Sequence, residues 1–207
     1  GGIKLIYIDP PFDVGADFSM NIEIGDETFT KEPNMLEELA YRDTWGKGAD
    51  SFIAMIYERL ILMRDLLADN GSIYVHCDYR VNSYIRLCLD EIFGKENFQN
   101  EIIWSYKKWS VAEKKFSRNH DVIFFYSKER NKHNFNVQYQ ERSESTKKRF
   151  GNKVIVSGYD ENGKRKPSQT VNIESIGVKM SDVWEIPIIA PVSKERLGYP
   201  TQKPLAL

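Results

Sequence analysis

The chain has 207 residues, 41% hydrophobic and 13% aromatic, enough to bury the core of one domain, or of one domain with an appendage, and too apolar for a disordered segment. No apolar run approaches the roughly 20 residues of a membrane helix and no charged-then-apolar leader opens the sequence, which speaks against a membrane and for a cytoplasmic protein. The net charge of −1 hides a segregation: Lys and Arg number 9 against 18 Asp and Glu in residues 1–100, 16 against 8 in 101–170 and 4 against 4 in 171–207, so a basic middle follows an acidic first half.

The apolar run Ile3-Lys4-Leu5-Ile6-Tyr7-Ile8 reads as a buried strand, and it closes on Asp9-Pro10-Pro11-Phe12. Two consecutive prolines fix φ near about −65° and remove two backbone donors, so the chain leaves the strand in a stiff turn of free carbonyl acceptors. Asp9, at the carboxyl end of a parallel strand where α/β proteins usually hold ligands, adds a charged acceptor, and Phe12 adds a flat apolar face. The exocyclic amine of a base fits such an elbow, its N–H groups meeting the acceptors while its ring stacks on Phe12. The plainer alternative is a Pro-Pro strand terminator with a capping Asp and a core Phe.

Residues 13–50 read as a long, acidic, Gly-containing connection of the kind that is usually functional. Ser51 is expected to cap a helix over 51–67, where Ile53, Ile56, Leu60, Met63 and Leu67 recur at three- and four-residue spacing, with Asp69-Asn70-Gly71 ending it. A parallel strand over Ser72–Cys77 then completes a strand–helix–strand unit with the first strand, and a second helix over Arg80–Phe93 stops at Gly94. Residues 100–106 and 121–126 read as strands joined by the basic segment 107–119, and with no crossover helix between them they are expected to pair antiparallel. Cys77 and Cys88 show neither a Cys-x-x-Cys arrangement nor clustered histidines, so no metal or disulfide role is expected. Beyond Lys128 the chain turns polar, with short β-like runs and a hairpin or loop at Gly158–Lys166. The clusters Lys107-Lys108, Lys147-Lys148-Arg149 and Lys164-Arg165-Lys166 suit DNA phosphates, and each alone reads equally well as a solvated surface.

Taken in order, Asp9-Pro10-Pro11-Phe12, Tyr41-Arg42-Asp43-Thr44-Trp45, Gly71-Ser72-Ile73-Tyr74-Val75-His76-Cys77-Asp78, Asn119-His120-Asp121-Val122-Ile123-Phe124-Phe125-Tyr126-Ser127-Lys128 and the final Gly198–Leu207 resemble the circularly permuted β group of DNA amino-methyltransferases, close to the Mod subunits of type III restriction-modification systems. The resemblance implies an α/β fold, a partial class I (Rossmann-like) methyltransferase sheet of parallel strands with an antiparallel edge. In it, residues 1–130 are the catalytic half, 131–183 a small inserted target-recognition region and 184–207 a return to the methyltransferase domain. It further implies transfer of a methyl group from S-adenosylmethionine to a flipped-out base, with Asp rather than Ser at position 9 favouring N6 of adenine. By the same resemblance Asp9, Pro10, Pro11 and Phe12 are catalytic, while Asp9, Thr201, Gln202, Lys203 and Pro204 line the methionine end of the cofactor site. Double-stranded DNA is the implied partner, and a restriction subunit and a homodimer are compatible with it. His76 reads equally as a core histidine or a site residue, Asp78 is expected to face the same sheet edge as Asp9, and Trp45 reads more readily as a packing anchor than as a stacking platform.

One departure stands out. The aromatic-x-Gly-x-Gly cofactor turn of that group is absent, no G-x-G-x-x-G occurs, and Trp45-Gly46-Lys47-Gly48 follows no predicted strand. In the permuted order that turn comes after Lys203-Pro204, so the chain as it stands, ending at Leu207, is expected to bind S-adenosylmethionine weakly or not at all and to be inactive, with strand 3–8 left as a sheet edge. An N4-cytosine methyltransferase and a non-catalytic DNA-binding or regulatory module remain open alternatives.

Overall fold

The computed structural model describes residues 2–10, 20–24, 27–31, 49–109, 113–199 and 202–207, the side chains of 20–31 and 49–51 excepted. It divides into two compact units, residues 1–134 with 182–207 and residues 135–181.

The first unit is built from β1 (Ile3–Ile8), β2 (Met20–Ile24), β3 (Glu27–Lys31), α1 (Ala49–Leu66), β4 (Leu67–Cys77), α2 (Asn82–Phe93), β5 (Phe98–Ser105), β6 (His120–Ser127) and β11 (Val183–Glu185). Five strands form one sheet in the order β1-β4-β6-β5-β11. β1 runs parallel to β4 and β11 parallel to β5, whereas β6 is antiparallel to both neighbours. The parallel β1–α1–β4 unit and the antiparallel β5–β6 pair are those the sequence predicts, and together they make a mixed α/β sheet whose described edge is β1. One element differs from expectation: β2 and β3 pair as an antiparallel hairpin inside the stretch read as a connection. The alternation over Met20–Ile24 and the Gly25-Asp26 that follows carried that signal.

α1 begins two residues before Ser51 and hands over to β4 at Leu67 without the predicted stop. The turn residues Asp69-Asn70-Gly71 lie inside β4, where its pairing with β1 jumps from Ile3↔Leu67 to Leu5↔Ser72. A bulge of this kind lets the chain reverse from helix to strand and re-enter register. Gly71 is required there by closeness of approach, since a Cβ would lie 2.8 Å from the Ile3 carbonyl oxygen and 2.9 Å from that of Ala68. α2 ends at Gly94, whose φ of 89° is left-handed and whose N–H caps the Asp90 carbonyl.

Strand parity divides the side chains between two faces. On one, Phe52, Ile56 and Leu60 of α1 and Ile85, Leu89 and Phe93 of α2 bury against Ile73, Val75, Val122, Phe124 and Tyr126. Each such side chain contributes about 1.5–3 kcal/mol of burial. On the other, Ile102, Ile123 and Phe125 gather Tyr74, Trp184 and Leu207 around them, with Tyr74 and Phe125 stacked at 4.5 Å. Leu207 thereby holds the end of the described chain on the face that also carries Tyr7, His76 and Asp121.

The second unit holds β7 (Tyr139–Gln140) paired with β10 (Val178–Lys179), β8 (Lys153–Val156) paired with β9 (Gln169–Glu174), and the short helix α3 (Glu144–Phe150). It is held by polar contacts more than by a core. Ser143 caps α3, Arg142 is buried and donates to the carbonyls of Gly151 and Lys153 at 3.0 and 2.7 Å, and Asp160 accepts from the N–H groups of Asn162 and Lys164 to tighten a Gly158–Lys166 hairpin.

Candidate active site

β1 and β4 are parallel, so their carboxyl ends lie side by side, and the register Ile8↔Val75 sets Asp9 level with His76. The antiparallel β6 brings its opposite end to the same edge, with His76↔Ile123 placing Asp121 next on that face. Topology alone thus collects Asp9, His76 and Asp121 from segments more than 40 residues apart in the chain.

His76 is fully buried and stands between the two carboxylates. Its Nδ1 is 3.1 Å from Asp9 Oδ1 and its Nε2 is 3.3 Å from Asp121 Oδ2. The Tyr7 hydroxyl lies 3.4 Å from the same Nδ1, Tyr106 donates to Asp121 Oδ1 at 3.2 Å, and the Trp104 ring meets the imidazole edge-on. The second Asp9 oxygen, Oδ2, receives Lys203 Nζ at 2.7 Å.

These contacts fix the charges. Burial works against ionising Asp9, yet the hydrogen bonds of His76 and Lys203 outweigh it and hold the carboxyl below its ordinary 3.8. Burial likewise disfavours the imidazolium, and the hydrogen bonds to Asp121 and Asp9 overcome it, raising His76 above its ordinary 6.5. Tyr7 is pushed up to about 12 by burial and by the negative charges of Asp9 and Asp121, and Tyr106 to about 12 by burial and Asp121, so both phenols remain protonated donors. Each carboxylate oxygen has two acceptor sites, so Asp9 keeps capacity for a further donor after His76 and Lys203 are served.

Lys203 arrives by a folded-back terminus. Gln202 donates its amide to the Glu195 carbonyl at 2.7 Å and accepts the Leu197 N–H at 2.8 Å, Pro204 is buried, and Leu207 packs on the second face of the sheet. Gln202 therefore shapes the loop that carries Lys203. Pro10 follows Asp9 at the elbow, half-buried. Pro11, Phe12, Trp45 and Thr201 lie outside the described residues. Asp78, just past the end of β4, accepts the Arg80 N–H at 2.9 Å and the guanidinium at 2.6–2.7 Å, closing the turn into α2.

Of the basic residues, Lys107 and Lys108 are exposed just past β5. In the second unit Lys147 is engaged by Glu141 and Glu144 at 2.8 and 3.2 Å, while Lys148, Arg149, Lys164, Arg165 and Lys166 are exposed. Asp121, Tyr7 and Tyr106 were not singled out from the sequence. The available signal was their position at the end of strands that share one edge with Asp9.

The model of the DNA methylase family, the N6 and N4 methyltransferases, matches residues 3–207. The type III restriction-modification enzyme EcoP15I Mod subunit of Escherichia coli is 36% identical over 49% of this chain and 17% of its own length. The type II methyltransferase M.EcaI of Enterobacter cloacae is 36% identical over 60% of this chain and 24% of its own. The DNA adenine methyltransferase YhdJ of Escherichia coli K12 is 24% identical over 99% of this chain and 58% of its own. The chain thus spans between about a sixth and three fifths of the length of these relatives.

Proposed function

The chain belongs to the DNA methylase family, and on that premise we propose that it carries the amine-activating half of a methyltransferase that moves a methyl group from S-adenosylmethionine to N6 of a flipped-out adenine in duplex DNA. The observation that carries this reading is the ionised, doubly supported carboxylate of Asp9 at the carboxyl end of β1.

An exocyclic amine is a poor nucleophile because its lone pair is conjugated into the ring. Asp9 accepts one of its N–H groups and the Pro10 carbonyl accepts the other, which favours a tetrahedral nitrogen and frees the lone pair. S-adenosylmethionine supplies a sulfonium methyl carbon open to in-line attack. As the nitrogen–carbon bond forms, the carbon–sulfur bond breaks with its electron pair retained by sulfur, and the nitrogen then sheds one proton. A carboxylate held below its ordinary pKa is a weak base, so Asp9 serves as an acceptor that orients the amine, and the proton leaves to water. Positioning and electrostatics supply the rate.

The fit to the cofactor rests on charge. Lys203 and Asp9 offer an ammonium and a carboxylate side by side, partly exposed, which suits the zwitterionic amino-acid end of S-adenosylmethionine. His76 holds Asp9 from below. Thr201 and Pro204, with Gln202 shaping the loop, complete the cofactor-side segment, and Pro11 and Phe12 complete the elbow, where Phe12 stacks on the base.

Adenine is favoured by the likeness to the adenine methyltransferase YhdJ along 99% of this chain, and a restriction subunit as partner by the likeness to type III Mod subunits. Residues 135–181, with Lys148, Arg149, Lys164, Arg165 and Lys166 exposed, are the proposed target-recognition region. Asp9→Ala in the intact protein is expected to lower methyl transfer by at least about a thousandfold, the scale of losing an oriented electrostatic partner, with DNA affinity within threefold of wild type on the order of ordinary surface changes. Methylation by the variant at the wild-type rate would refute the assignment.

A further inference from the structure

We propose that the β5–β6 loop is a DNA wedge, which inserts Trp109 or Phe116 into the base stack beside the site; the inference rests on the DNA-directed reading above and adds the element that opens the duplex. Trp109 is 94% exposed and Phe116 97% exposed, an unusual state for two large aromatics on one short loop. Between Lys107 and Arg118 they are interleaved with five cations, Lys107, Lys108, Lys114, Lys115 and Arg118, against one carboxylate, Glu113. A flat apolar ring flanked by ammonium groups matches one partner chemistry: base faces between phosphates. Aromatics stack on bases of any identity while the cations hold the backbone.

The loop is aimed by the sheet. Asp121 and His120 at the start of β6 pair with Trp104 and Ser105 at the end of β5, two and three rungs beyond the rung Ile102–Ile123–His76 that is level with Asp9. It therefore leaves the sheet at the end that holds Asp9, two to three strand spacings across, or roughly 10–15 Å. Its base is firm. Tyr106 N–H donates to the Asn119 carbonyl at 2.9 Å to close the neck, and the Arg118 guanidinium lies 3.6 Å above the Tyr79 ring to tie one arm to the turn after β4. An aromatic carried on a braced, cationic loop beside an amine-accepting elbow can occupy the gap left when a base leaves the stack and hold it open.

The test is the affinity of the intact protein for a 30-bp duplex with one tetrahydrofuran abasic site against the same duplex intact. Wild type is expected to prefer the abasic duplex by about tenfold, within the range of one base stacked on an aromatic. Trp109→Ala with Phe116→Ala should erase that ratio, Trp109→Tyr with Phe116→Tyr should restore it, and Lys114→Ala with Lys115→Ala should weaken both duplexes alike. Equal wild-type affinity for the two duplexes, or a ratio that survives the double Ala variant, would overturn the wedge and leave the methyltransferase reading standing. Failure of wild type to bind either duplex would overturn both. Loss of a dimer in the double Ala variant with the ratio unchanged would assign the two aromatics to a second copy of the chain and refute the wedge.

Discussion

An imidazole buried between two carboxylates keeps its proton to higher pH than one in water. His76 is raised above 6.5, so the stability contributed by its charge is complete below the unfolded value and is lost as pH climbs through the folded one. Asp9 is lowered below 3.8, so its contribution is complete above 3.8 and is lost as pH falls through its folded value. The two windows overlap between about pH 4 and 6.5, and stability to urea is expected to be greatest there and to decline toward alkaline pH. His76→Gln should flatten the alkaline decline; a wild-type curve that instead rises from pH 6.5 to 9 would contradict the charged imidazole. The position of Asp9 was legible because it closes an obvious apolar run that forms β1. His76 was not decidable, since a fully buried histidine gives the same sequence signal whether it packs or ligates, and Asp121 could be read only as the start of a strand, its nearness to His76 following from the antiparallel pairing of β6 with β4.

At the scale of elements, periodicity placed Ile56 and Leu60 of α1 in the core but missed Phe52, left Ile53 and Met63 only partly buried, and was silent about the helix end, where Leu67 already belongs to β4. Phe52, Ile56 and Leu60 recur every four residues and are the buried stripe, so Leu60→Ala is expected to cost about 2–5 kcal/mol, seen as a lower urea midpoint at unchanged slope. A change below about 0.5 kcal/mol, the range of a surface position, would mean the stripe does not face the core. Asp69-Asn70-Gly71 has turn composition, and it does make a turn, yet one folded into β4 as a bulge because Leu67 already pairs with Ile3. Gly71→Ala should therefore destabilise by about 1–3 kcal/mol through overpacking against the Ile3 and Ala68 carbonyls. An ordinary helix-terminating glycine would be relieved by Asn at this position, whereas the crowding here predicts that Gly71→Asn is worse than Gly71→Ala. The β2–β3 hairpin was hidden for the opposite reason: a five-residue alternation lies within a long acidic, Gly-containing stretch of loop composition.

For the whole molecule, the segregation of charge bears on the proposed encounter with DNA. If Lys164, Arg165 and Lys166 touch phosphates, changing them to Ala lowers the slope of log affinity against log salt by about 0.9 for each phosphate left without its cation, and an unchanged slope removes them from the interface. All of these elements serve one claim, that Asp9 orients an adenine amine for methyl transfer. The most direct measurement is to incubate the intact protein with duplex DNA and S-adenosylmethionine labelled in its methyl group, digest the DNA to nucleosides and identify the labelled one. Label in N6-methyldeoxyadenosine with wild type, and none with Asp9→Ala, is the predicted result. Label in N4-methyldeoxycytidine or 5-methyldeoxycytidine, or label in N6-methyldeoxyadenosine that persists in Asp9→Ala, contradicts it.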